Sequence, residues 1–333
     1  MARLLGSPAQ TALYTVLLGL AVVGNATVAL VVGRSVVTKH GGAGCSDAII
    51  LNMALSSLLV SSTRNMAVLV SDWGYEMPAT KMLCQLLMGV WVWLRSVNVW
   101  STFCLSAFHL LTLRRARPTH GSLRRAVPAA LPMSLGLIWL LNFLLSTPAF
   151  IFSTNGGVNV TESLILVSST NRPVLRCVSD FPSVHSGLAF ATTSLVIHEM
   201  TPVVLMAFTS LSSLHTLYNH GRKHPLERNA VRRVPAELRA AKVRCCVAAL
   251  GPGCFMPFYL FHQVILSLVM LFVASWGTSV ISVTYFNYNR SSSTEFLRVI
   301  TRFCNVAFLS LSPAVLAFGH RGLRSFIRSV LAR

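Results

Sequence analysis

The sequence predicts an all-α fold: a seven-transmembrane helix bundle over residues 1–333, closed by a short amphipathic helix after the last span. Three observations carry this expectation. Hydrophobic residues make up 53% of the chain and charged residues 11%, a balance outside that of soluble domains. Seven stretches reach the roughly 20 mostly apolar residues that a helix needs to cross a hydrocarbon core of about 30 Å, where every backbone polar group must be satisfied within the segment. The surplus of positive charge, +19 in all, falls almost wholly in alternate connections between those stretches.

The spans are expected at about residues 10–33, 48–71, 84–113, 127–152, 187–217, 243–275 and 297–319. The first follows Arg3, as a secretory signal would, but the run from Ala12 to Val32 is too long for a signal core and reads as a retained helix. Helix two carries Arg64 in one half of its span. Helix three opens at Cys84 and sets Trp91, Arg95, Asn98 and Thr102 on one face at spacings of three and four. Helix five carries His198 and Glu199. Helix six carries Gly251, Pro252, Gly253 and Pro257 in the middle of its span, and its prolines remove helix hydrogen bonds and kink it; the kink is either a hinge for the inner end or a fixed shape. Helix seven holds Arg298 and Arg302 near its start. Beyond it Leu323, Phe326, Ile327, Val330 and Leu331 recur at helical spacing opposite Arg321, Arg324 and Arg328, the pattern of a helix lying on a lipid surface.

Charge gives this bundle an orientation. Arg34 and Lys39, then Arg114, Arg115, Arg117, Arg124 and Arg125, then eight Lys or Arg from Arg222 to Arg244, then Arg321, Arg324, Arg328 and Arg333 all fall on one side. The other side holds only Arg3, Lys81, Arg172, Arg176 and Arg290. Positive residues favour the cytoplasmic side, so the N-terminus is expected outside and the C-terminus inside, in a multi-pass protein of the plasma membrane. The same distribution excludes a nucleic-acid partner, because no basic face interleaved with aromatics stands outside the membrane loops; anionic lipid is the partner for most of these charges.

Two cysteines belong to the outer side: Cys84 at the start of helix three and Cys177 in the long loop Ser153–Ser186. That compartment is oxidising, and a bridge between them is expected. Asn159-Val160-Thr161 and Asn289-Arg290-Ser291 are glycosylation sequons in loops that charge also sets outside. The other long loop on that side is expected from Trp276 to Phe296, and the basic inner loop from Tyr218 to Lys242.

An ionisable group at the centre of a span costs about 2.5–3.5 kcal/mol on insertion scales. Arg95 lies eleven residues after Cys84, about 16 Å down the helix at 1.5 Å per residue, and Glu199 sits at a comparable depth in helix five. Opposite charges at matching depth read in two ways. In one, Arg95, Glu199, His198, Asn98 and Trp91 line a pocket for a small ligand; in the other, Arg95 and Glu199 form a purely structural ion pair. Arg64 is placed to snorkel to the headgroups, and Arg298 and Arg302 to stand at the pocket mouth.

Catalysis is not expected, nor any metal or cofactor. His220 and His224 alone do not make a di-iron ligand set, and no H-E-x-x-H, G-x-S-x-G or paired intramembrane aspartates occur. A transporter, the alternative of another class, would show repeat symmetry with broken helices in both halves.

Seven spans, an outer N-terminus, the helix-three cysteine and the helix after span seven resemble a G-protein-coupled receptor. Phe108-His109-Leu110 replaces the usual acidic-Arg-aromatic triplet, Ser312-Pro313 stands without N-P-x-x-Y, and Ser57 occupies the place of the sodium-binding aspartate, while Gly24-Asn25 is retained. These departures resemble the type 1 vomeronasal receptors and the olfactory receptor class A-like proteins of fish. Arg95 to Phe108 with Cys104-Leu105-Ser106 resembles their helix-three pattern, Val234-Pro235-Ala236-Glu237-Leu238-Arg239-Ala240 their S-P-E-x-R-A segment before helix six, and His198-Glu199 a pair found in many class A-like members. Ser212-Ser213-Leu214-His215-Thr216 is similar instead to a bitter taste receptor motif, which keeps that family as the alternative. The resemblance implies a chemosensory receptor for a small-molecule odorant or pheromone, signalling through a heterotrimeric G protein on the cytoplasmic face, with His109, Arg114 and Arg115 as residues facing that partner.

Overall fold

The computed structural model describes residues 8–38, 45–75, 80–115, 127–155, 177–230, 252–288 and 295–331. They form a seven-helix bundle and an eighth short helix. Helix α1 is Pro8–Thr38. Helix α2 begins as Cys45–Val60, passes through a π turn at Ser61–Asn65 and resumes over Met66–Asp72. Helix α3 is Lys81–Arg115 and α4 is Val127–Ile151. Helix α5 runs as Val184–Ser194, a second π turn at Leu195–Met200, and Thr201–Ala230. Helices α6, Pro252–Tyr288, α7, Glu295–Gly319, and α8, Arg321–Leu331, complete the chain.

Lipid explains why these helices are apolar on both faces. In α1 the buried stripe is Tyr14, Leu18, Ala21, Asn25, Val28 and Val32, at helical spacing, yet the opposite face presents Leu13, Val16, Leu20, Val23 and Leu30, each more than half exposed. A helix apolar all round belongs in a membrane or a large core. Among the described residues six helices are long and apolar enough to span, and Leu266–Ser282 within α6 is a shorter apolar segment.

Helix α3 sits centrally, in contact with α2, α4, α5 and α6. Polar side chains join it to its neighbours: Trp93 Nε1 donates to Trp139 O at 3.0 Å, Trp139 Nε1 to Asn52 Oδ1 at 2.8 Å, and Asn52 Nδ2 to Ser101 Oγ at 2.7 Å, so α2, α3 and α4 share one chain of bonds. The hydroxyls of Ser106 and Thr209 meet at 2.7 Å between α3 and α5. On the other flank Asn25 Nδ2 donates to Leu309 O at 2.9 Å, and a Cβ at Gly24 would stand 2.9 Å from Pro313. The Gly24-Asn25 pair thus lets α7 approach α1 and then bonds its backbone.

Two three-residue strands, β1 (Ser153–Asn155) and β2 (Cys177–Ser179), pair antiparallel with Asn155 opposite Cys177; they are the one sheet among the described residues. Cys177 is disulfide-bonded to Cys84, which fixes the hairpin to the first turn of α3. Ser183 then caps α5, accepting from Ser186 N at 3.1 Å while Ser186 Oγ accepts from Ser183 N at 3.2 Å, a reciprocal capping box.

Two expectations need correction. The connection expected from Trp276 to Phe296 is mostly helix, since α6 continues to Tyr288. The packed stretch of α6 runs past residue 275: Val264 lies against Gly319, Phe272 against Phe308 at 5.0 Å between ring centroids, Ser275 Oγ donates to Cys304 O, and Trp276, Ser279 and Ser282 are buried beyond it. Apolar length alone does not say which of two overlapping windows a neighbouring helix will accept. Pro252, Gly253 and Pro257 accordingly fall in the first turns of α6, not its middle; Gly251 lies outside the described residues. The inner connection expected to begin at Tyr218 is helical to Ala230.

Helix α8 follows α7 after a single residue, His320. Its Nδ1 accepts from Leu323 N at 3.3 Å and its Nε2 donates to Asp47 Oδ1 at 3.4 Å, joining the start of α2 to the start of α8. Leu323 is buried, whereas Phe326, Ile327 and Val330 are exposed.

Candidate functional site

Among α2, α3, α6 and α7 lies a cavity of about 30 Å³, room for one water-sized group. Val60 of α2, Arg95 and Asn98 of α3, Phe272, Ser275 and Trp276 of α6, and Asn305 and Phe308 of α7 line it. Of the residues singled out from sequence, Arg95 and Asn98 are here. Trp276 and Asn305 are not among them, although Leu268, Phe272, Trp276, Ser279 and Ser282 are all buried at spacings of three and four, a helical stripe that continues through the assumed loop.

An aromatic ring and a carboxylate both act on Arg95. The Trp91 ring, 1% exposed, lies 5.4 Å from the Arg95 guanidinium carbon and only 4.0 Å from that of Arg64. The negative face of an indole attracts a guanidinium, by about 2 kcal/mol or more where water is excluded. Arg64 is itself buried at 8% exposure and does not snorkel; the π turn of α2 carries it inward. Glu199 also acts electrostatically on Arg95.

The π turn of α5 accounts for the unusual placement of His198 and Glu199, neighbours in sequence and both buried, at 2% and 1% exposure. A π turn inserts an extra residue into the helical register and redirects side chains, frequently at functional sites. His198 Nδ1 meets Asn142 Oδ1 of α4 at 3.1 Å, so His198 is engaged away from the cavity. Asn98 likewise has other partners: its Nδ2 donates to Ser57 Oγ at 2.7 Å, Ser56 Oγ at 3.0 Å and Met53 O at 3.4 Å, all on α2.

Arg302 belongs to a second polar group nearer the disulfide end. It forms an ion pair with Asp72 at the end of α2, and its guanidinium carbon stands 4.1 Å from the ring centroid of Tyr14 on α1. Arg298 is in the first turns of α7. At the opposite end of α3, His109 is buried at 5% exposure, Arg114 is exposed, and Arg115 is the last helical residue. A partner at that end meets Arg114 directly and His109 only if the helices part. Asn159 and Asn289 lie outside the described residues.

The arrangement can therefore hold a small polar group in a cavity lined partly by aromatic rings, beside the Arg95 guanidinium. Comparison with known proteins accords with such a bundle. Residues 24–314 match the family model described as 7 transmembrane receptor (rhodopsin family). The chain is 36% identical over 291 residues to Olfactory receptor class A-like protein 4 of Danio rerio, covering 86% of this chain and 78% of that protein. With seven packed helices, the Cys84–Cys177 bridge and a family match across nearly its whole length, this chain belongs to the rhodopsin family of seven-transmembrane, G-protein-coupled receptors.

Proposed function

We propose that the chain is a chemosensory receptor of the plasma membrane that binds a small-molecule odorant or pheromone within the bundle and activates a heterotrimeric G protein, in the manner of type 1 vomeronasal and olfactory receptor class A-like proteins. The observation that carries this reading is Arg95: a cation in mid-membrane, beside an interhelical cavity and within the field of Glu199. A charge so placed is costly unless it is paired or has a ligand to meet. The olfactory name of the Danio rerio relative supports the same reading. Trp91 orients Arg95, while Asn98 and His198 hold the surrounding helices in register.

The N-terminus is extracellular in this reading. It is supported by the weight of Lys and Arg in alternate connections of the sequence and by the sequons at Asn159 and Asn289, which the sequence puts in the β1–β2 and α6–α7 connections. A ligand that binds two arrangements of the helices unequally shifts their populations, and the G protein reads the shift at the end carrying His109, Arg114 and Arg115.

The test is a calcium-reporter screen in cells expressing the receptor with a promiscuous G protein, using acids, amines and steroid-like compounds in separate sets. At least one set is expected to give a saturable response, abolished by Arg95→Ala and by Glu199→Ala at unchanged surface expression. Dose-response curves that both variants leave unchanged would sink the site assignment.

A further inference from the structure

Two residues that line the cavity, Arg95 of α3 and Trp276 of α6, each carry a buried hydrogen-bond donor with no partner among the described residues: Nε of Arg95 and Nε1 of Trp276. Trp276 is 7% exposed. A buried donor left unsatisfied is costly, and two on residues lining a space the size of one water share a natural answer, a single acceptor between them. Resting on the receptor reading above, we propose that this cavity is the seat for a hydrogen-bond-accepting oxygen of the ligand, a carbonyl or carboxylate, which takes the N–H groups of Arg95 and Trp276.

The volume limits what enters to a terminal group, so the remainder of the ligand lies outside the seat. The rings of Phe272 and Phe308, packed edge to face on each other, form part of the lining, which suits an apolar body attached to the acceptor. Glu199 acts on the same guanidinium, but a guanidinium has five N–H donors and one carboxylate engages at most two of them. An ammonium is excluded from the seat on two counts: it brings a third set of donors where acceptors are needed, and it meets the Arg95 charge with one of the same sign. The ligand class is therefore acids and ketones rather than amines.

The experiment uses the full-length receptor in the calcium assay with octanoate, 2-octanone, octylamine and octane, together with every agonist from the screen, sorted by whether it bears an acceptor oxygen. Agonists are expected among the acceptor-bearing compounds. Trp276→Phe keeps the ring and removes the donor, and should weaken their potency about tenfold, the worth of one hydrogen bond; Trp276→His, which keeps an N–H, should restore part of it. Where Trp276→Phe does not reach the surface, Arg95→Lys, which keeps the charge without the Nε donor, should shift potency in the same direction. Agonists confined to amines or hydrocarbons overturn the seat, and so do acceptor-bearing agonists whose potency is unchanged in a surface-expressed donor variant. A receptor that answers no compound of any set overturns the receptor reading and the seat with it.

Discussion

Asn98 shows how much a single polar side chain decides inside lipid. Its amide donates to Ser56, Ser57 and the Met53 carbonyl, clamping α3 to α2 one turn below Arg95. Interhelical hydrogen bonds in membranes are individually modest, about 0.6 kcal/mol on average and up to about 1.7, but removing the donor strands several acceptors at once. Asn98→Leu is expected to destabilise the detergent-solubilised receptor by about 1–2 kcal/mol, read as a lower thermal midpoint. An unchanged midpoint would mean the serines are satisfied within α2 alone. The Arg95 and Glu199 charges are tested by exchange: Arg95→Glu combined with Glu199→Arg should recover part of the surface expression that either change alone loses. No recovery, measured as a double-mutant cycle, would separate the two residues energetically.

At the scale of the element, each buried ionisable residue of α2 and α5 sits in a π turn: Arg64 in Ser61–Asn65 and His198 with Glu199 in Leu195–Met200. In a uniform α-helix adjacent residues point about 100° apart; the sequence set His198 and Glu199 together at one pocket, and the structure engages His198 with Asn142 instead. Close approach of helices is set by glycine elsewhere. A Cβ at Gly89 would stand 2.3 Å from the Phe150 ring of α4, whereas one at Gly136 meets nothing within 4 Å. Gly89→Ala should therefore lower the thermal midpoint by the equivalent of about 1–3 kcal/mol through overpacking, and Gly136→Ala should not. Equal effects would mean α4 yields at Phe150 without cost.

For the whole molecule the questions are which side faces out and what closes that end. The disulfide holds the β-hairpin on α3, and the Arg302–Asp72 ion pair, with Tyr14 beneath it, joins α7 to α2 and α1. In the proposed orientation, Asn159→Gln and Asn289→Gln should each remove one glycan, seen as a smaller mass that enzymatic deglycosylation no longer changes when both are combined. Glycans that persist in the double variant, or a receptor never glycosylated, would count against the outward placement of those loops.

Much of this was legible beforehand because lipid imposes a local rule. A span must satisfy its own backbone and present apolar side chains, so composition and run length alone specified the number of helices, and the amphipathic period of Arg321–Leu331 specified the eighth. The Cys84–Cys177 bridge was legible for a similar reason, two thiols alone in one compartment. Arg95 stood out because a charge in a span is anomalous wherever the neighbours are. What the sequence could not decide was anything that depends on who the neighbour is. Trp276 enters the site only because α6 packs against α7 through Val264, Phe272 and Ser275, His198 leaves it because Asn142 lies across from it, and Arg64 reaches Trp91 only through a π turn. Hydrophobicity is a property of each residue and can be read along the chain; register and facing are properties of pairs of helices, and only tertiary packing determined them.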